Sequence, residues 1–118
     1  MMPLEEKAVL LRIFIDESDR FGRHPLYEAI VLKAREQELA GAMVLRGPMG
    51  FGHSSRLRTA KVLRLSEDLP VVVEIIDSEQ KISAFLPLLD EMMKGGLISL
   101  SEVRILRYGP DLKEIAGP

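Results

Sequence analysis

The chain contains no cysteine, no tryptophan and no asparagine, and its 118 residues include only two histidines and two tyrosines. Without cysteine, disulfides and thiolate metal sites are both excluded, a composition that suits the cytoplasm. His24 and His53 stand at unrelated spacings and make no metal-ligand pattern. No apolar run approaches the roughly 20 residues that a membrane-spanning helix requires. Met1-Met2-Pro3-Leu4-Glu5-Glu6 lacks a basic start followed by an apolar core, so no secretory signal and a cytoplasmic location are expected. Few thermolabile side chains beside many ionic ones lean towards a thermophilic source.

Acidic side chains are also missing between Glu38 and Glu67, where Arg46, Arg56, Arg58, Lys61 and Arg64 stand. The net charge of −2 therefore hides a positive segment on a negative remainder, which suits a localised anionic ligand or partner. By field strength the molecule as a whole is not a nucleic-acid binder. Gly47, Gly50 and Gly52 lie among the cations, with Phe51, His53, Ser54 and Ser55 beside them. Glycine allows the backbone to approach a ligand closely, successive N–H groups can form an anion-binding concavity, and guanidinium groups can close on phosphate. Residues 46–64 thus read either as the receiver of something anionic or as an ordinary solvated, mobile loop between two strands. His53 has the same two readings, ligand contact or loop residue.

One domain with a single core is expected over residues 1–118. Ala8–Ile15 alternates Leu11, Ile13 and Ile15 against Leu10, Arg12 and Phe14, the pattern of a strand. A polar turn leads to Pro25, suited to the start of a helix. Tyr27, Ile30, Val31 and Ala34 then make one apolar helix face to about Leu39, with Gly41 as the expected stop. Ala42–Leu45 begins a second strand, residues 61–65 a returning arm, and Val71–Ile76 a central strand. Asp77 or Ser78 caps a second helix, with Gln80 placed for a capping box from Asp77. Ile82, Phe85, Leu86, Leu89 and Met93 carry its apolar face, Pro87 should bend it, and Met92-Met93 reads as core filler. Gly95-Gly96 stops it, residues 97–100 and 103–108 form the last strand region, and 109–118 a flexible tail. The order β-α-β-β-α-β gives an α+β, ferredoxin-like fold: a four-stranded antiparallel sheet with two helices on one face. An apolar second face of that sheet is best hidden by subunit association.

Gly50-Phe51-Gly52, the run Ser66-Glu67-Asp68-Leu69-Pro70-Val71-Val72-Val73-Glu74-Ile75, and Ala84-Phe85-Leu86-Pro87 together resemble the DUF190 family over about residues 6 to 109. That family is similar in fold to the nitrogen-regulatory PII proteins and to CutA-type proteins. The resemblance implies a PII-like homotrimer with clefts between neighbours that take an adenine nucleotide (AMP, ADP or ATP), with no cofactor required. Residues 46–64 would be its T-loop-like segment, shaped by ligand and read by a partner. Members of the family are often encoded beside fluoride-channel proteins, which points to a membrane transporter or channel as that partner.

Carried over by residue, Gly50 and Gly52 match the loop-base glycines that flank Phe51. Lys94, Gly95 and Gly96 lie where PII proteins place a second phosphate-contacting loop, here expected from an adjacent subunit. That loop is shorter and lacks Gly-Asp-Gly-Lys, which counts against a triphosphate. Of the last-strand arginines, Arg104 and Arg107 are three apart and would face opposite ways in a regular strand, so only one reaches a given cleft. The expected ligand-binding set is Arg46, Gly50, Phe51, Gly52, His53, Arg56, Arg58, Lys94, Gly95, Gly96 and Arg104. The modified T-loop tyrosine of some PII proteins has no counterpart, because the only tyrosines are Tyr27 and Tyr108.

The function expected is a PII-like regulator that binds a phosphorylated small molecule; the alternative is a CutA-like metal-handling or purely structural trimer. An enzyme is not expected. Acylphosphatases share the size and a basic loop but require an asparagine, and adjacent His53 and Ser54 present no nucleophile geometry. Base stacking on the sheet is not expected either, since Val71–Ile76 holds no aromatic residue and Phe14 reads as core.

Overall fold

Alternating burial from Leu11 to Ile15 gives the first strand two unlike faces, and the helices settle on one of them. In the computed structural model, which describes residues 6–52, 57–59 and 68–109, this strand is β1 (Glu6–Asp16). There follow β2 (Arg20–Phe21), β3 (His24–Pro25), α1 (Leu26–Glu36), β4 (Gly41–Arg46), β5 (Met49–Gly50), β6 (Arg58–Thr59), β7 (Pro70–Asp77), α2 (Glu79–Met92) and β8 (Leu97–Ile105). The main sheet has the order β4-β7-β1-β8 and every pairing in it is antiparallel. β2 pairs with β3 and β5 with β6 as two small ribbons. The ferredoxin-like expectation holds, with the two pieces of the last strand fused into one.

Register fixes which side chains share a face. Ile13 stands opposite Val73 and Leu11 opposite Ile75, and all four are buried beneath Ile30 and Ala34 of α1 and Ile82, Phe85 and Leu89 of α2. Val9, Ile15, Val71 and Met92 complete this core. The other face aligns Phe14 with Val72 and Leu97, and Val72 with Leu45. Phe14 is 41% exposed, so its expected place in the core is wrong; alternation sends it to the side without helices. Met93 is only half-buried, and Met92 is the methionine that fills the core.

The helix ends depart from expectation for local reasons. α1 finishes at Glu36, and Gly41 belongs to β4. Glu38 takes the left-handed conformation (φ 59°), while Glu38 N–H donates to the Arg35 carbonyl at 3.0 Å and Leu39 N–H to Ala34 at 3.1 Å. This is a Schellman closure with glutamate where glycine is usual. Ser78 caps α2 by accepting from Lys81 N–H at 3.2 Å. Asp77 accepts instead from Ala40 N–H at 2.8 Å, tying the α1–β4 connection to β7, and no capping box forms with Gln80. α2 continues through Pro87. The returning arm at 61–65 and the tail beyond Gly109 lie outside the described residues.

Candidate functional site

β1 and β4 end, and β7 and β8 begin, at the same end of the sheet, as the pairs Asp16–Pro70, Arg46–Val71 and Phe14–Leu97 require. Three connections meet there: the turn after Asp16, the glycine-bearing segment after Arg46, and the turn after α2. Between them lies an open groove of about 1100 Å³. Phe14, Val72 and Leu97 give it an apolar floor, and Asp16, Ser18, Asp19 and Arg20 line one side. Gly50, Phe51 and Gly52 and the turn Lys94–Gly96 line it as well. Six of the eleven expected residues thus line one groove of a single chain.

The glycines divide into two kinds. Gly47 donates its N–H to the Pro70 carbonyl at 2.8 Å, and side chains at Gly47 or Gly50 would press on the Pro70 ring at 3.3 and 3.2 Å. Those two are small because the chain folds onto Pro70. Gly96 has φ 105°, and a Cβ there would stand 2.8 Å from the Phe14 carbonyl oxygen, so the turn can close on β1 only with glycine. Gly52 and Gly95, by contrast, have nothing within 4 Å of where a Cβ would stand. Their backbone is the part of the groove wall open to a ligand.

Two of the expected arginines have carboxylate partners within the chain. Arg46 pairs with Glu17. Arg58 is held between Asp16 Oδ2 at 3.0 Å and Asp68 Oδ2 at 2.6 Å, and its side chain is only 12% exposed. Its Nε is buried without a partner, and the hydrogen bond to Asp16 raises its pKa further. Each already pairs with carboxylates from outside the acid-free stretch: Arg46 with Glu17, and Arg58 with Asp16 and Asp68. Arg104 stands opposite Lys7, seven positions along β8 from the groove, or about 23 Å. It does not line this groove. Arg107 follows the end of the strand. His53 and Arg56 lie outside the described residues. Lys94 is the cation of the expected set that lines the groove.

Sequence reasoning missed Phe14, Val72, Leu97 and the polar turn at 16–20. Their signal is register: only once Phe14 is known to face Leu97 do these residues share one end of the sheet. Among the described residues no group of three or more His, Asp or Glu could hold a metal ion, and no helix is long and apolar enough to cross a membrane.

Known proteins share this architecture. CPII from Thiomonas intermedia K12, a nitrogen regulatory PII-like protein solved bound to ADP, AMP and bicarbonate, superposes with a TM-score of 0.61 at 12% identity, over 87% of this chain and 92% of that one. CutA1 from Oryza sativa superposes with a TM-score of 0.53 at 13% identity, over 96% and 91% of the two chains. At these identities the likeness establishes the fold. In sequence, a UPF0166 protein of Aquifex aeolicus (strain VF5) is 43% identical over 103 residues, covering 85% of this chain and 94% of its own length. The DUF190 profile (Uncharacterized ACR) matches residues 8–105, and the chain belongs to that family.

Proposed function

We propose that this protein is a PII-like regulator that binds an adenine nucleotide, or a similar phosphorylated small molecule, in the end-of-sheet groove and relays its occupancy to a partner protein. The observation that carries this reading is the meeting of Gly52, Gly95 and Lys94 around an apolar floor. Open backbone and an ammonium suit phosphate, while Phe14, Val72 and Leu97 offer flat apolar surface to a base. The nucleotides bound to CPII, a fold neighbour, support the same choice. Gly52 lies within the basic segment 46–64, so a groove ligand would touch that segment directly. A partner, a membrane transporter or channel on this reading, would then sense ligand through it. Binding requires no cofactor, and no reaction is catalysed. In the cytoplasm, where this reading places the protein, three copies would cover their open apolar sheet faces against one another.

Titration calorimetry with AMP, ADP, ATP and cyclic dinucleotides tests the proposal. Saturable binding of an adenine nucleotide is expected in the wild type. Gly95→Val and Gly52→Val should weaken it by about tenfold or more without lowering the melting temperature, because neither position is crowded. Absence of heat and of any thermal shift at millimolar ligand, for every nucleotide, would reject it.

A further inference from the structure

An anion approaching this groove meets carboxylates. Asp16 and Asp19 line it, and Asp68 lies behind them, its Oδ1 accepting from Ser18 Oγ at 2.5 Å. Asp19 Oδ2 accepts from Asp16 N–H at 2.9 Å, which draws the turn together and fixes its charges. Glu17, next to them, is answered by Arg46. Asp16 and Asp68 are both answered by one guanidinium, that of Arg58, which arrives from β6 and is not among the residues lining the groove.

We infer that Arg58 is a positioning residue for the groove: it cancels negative charge on the Asp16 side so that the wall accepts a phosphate, without itself touching the ligand. The inference rests on the nucleotide reading above and deepens it. Two facts support it. The guanidinium spans two carboxylates at hydrogen-bond distance, a geometry set by charge. The carboxylate it neutralises is itself groove wall. Removing Arg58 would leave Asp16, Asp19 and Asp68 clustered without that counter-charge, and a phosphate dianion would enter against them.

The experiment compares AMP with adenosine, the same base and ribose without the charge. Arg58→Gln should weaken AMP by roughly tenfold and adenosine by less than about twofold, with the AMP loss shrinking as salt is raised. The double variant Asp16→Asn/Arg58→Gln should regain most of the AMP affinity, and Arg58→Lys should stay within about threefold of wild type. Equal losses for AMP and adenosine, or no recovery in the double variant, would overturn the inference and leave Arg58 a structural clasp. Should Arg58→Gln fail to fold, the double variant and Arg58→Lys decide alone: AMP binding lost in both overturns it, AMP binding kept in both supports it. If the wild type binds neither probe, the nucleotide reading fails and takes this inference with it.

Discussion

The two faces of the sheet are made by the same strands, alternate residue by alternate residue, yet they have opposite fates. On one, Leu11, Ile13, Val73 and Ile75 are buried under two helices. On the other, Phe14, Met43 (58% exposed), Leu45 (45%) and Leu97 (56%) stand open around the ion pair of Arg12 and Glu74. Apolar composition is similar on both; only the helical connections, both crossing on one side, distinguish them. The comparison teaches that the fold of one subunit is stabilised from one face, while the other stays apolar and open.

Substitution on each face sharpens this contrast. Phe85 is buried on α2 against the covered face, and Phe85→Ala should cost about 3–5 kcal/mol in urea unfolding at any protein concentration. Leu45→Asp should leave the circular dichroism of the subunit unchanged and abolish the proposed assembly in sedimentation, since a charge would enter an apolar seam. An assembly indifferent to Leu45→Asp would place the seam elsewhere.

A smaller effect separates two neighbouring glycines at the groove. Gly96→Ala meets the Phe14 carbonyl at 2.8 Å from a left-handed backbone and should cost about 1–3 kcal/mol. Gly95→Ala points into open space and should change stability by less than about 0.5 kcal/mol. Thermal melts of the two variants side by side would check this; equal losses would mean that the turn at 94–96 is not locked as described.

The fold was legible in the sequence where periodicity is strong. Alternation in residues 8–15 and the nearly all-apolar run 71–76 identified the two inner strands, and the apolar spacing from Ile82 to Leu89 identified α2. Helix ends were less legible, because Glu38 can occupy a left-handed position that pattern reasoning reserves for glycine. At the site, glycines and Lys94 were found from local chemistry and family likeness. The carboxylate partners of Arg46 and Arg58 were not legible, because Asp16, Glu17 and Asp68 lie outside the acid-free stretch and reach it only through tertiary structure. Charge counted along a chain does not show which charges are already answered.

The smallest effect is expected from Arg12 and Glu74, at 2.9 Å in the middle of the open face. In a lone subunit the Arg12 side chain is 46% exposed, and an ion pair that wet is worth under about 1 kcal/mol. Covered by neighbouring copies, the same pair would lose its water, and cutting one partner would strand a charge at a cost of about 3–5 kcal/mol. Arg12→Met therefore reports on which side of that divide the face lies. In dilute protein its unfolding midpoint should barely move; at concentrations where the wild type associates, the loss should grow, and Arg12→Met/Glu74→Leu should restore the assembly by removing both charges together. A loss that stays small at every concentration would mean the pair remains in water. The open face would then be no seam, and the apolar side chains around it would need another partner.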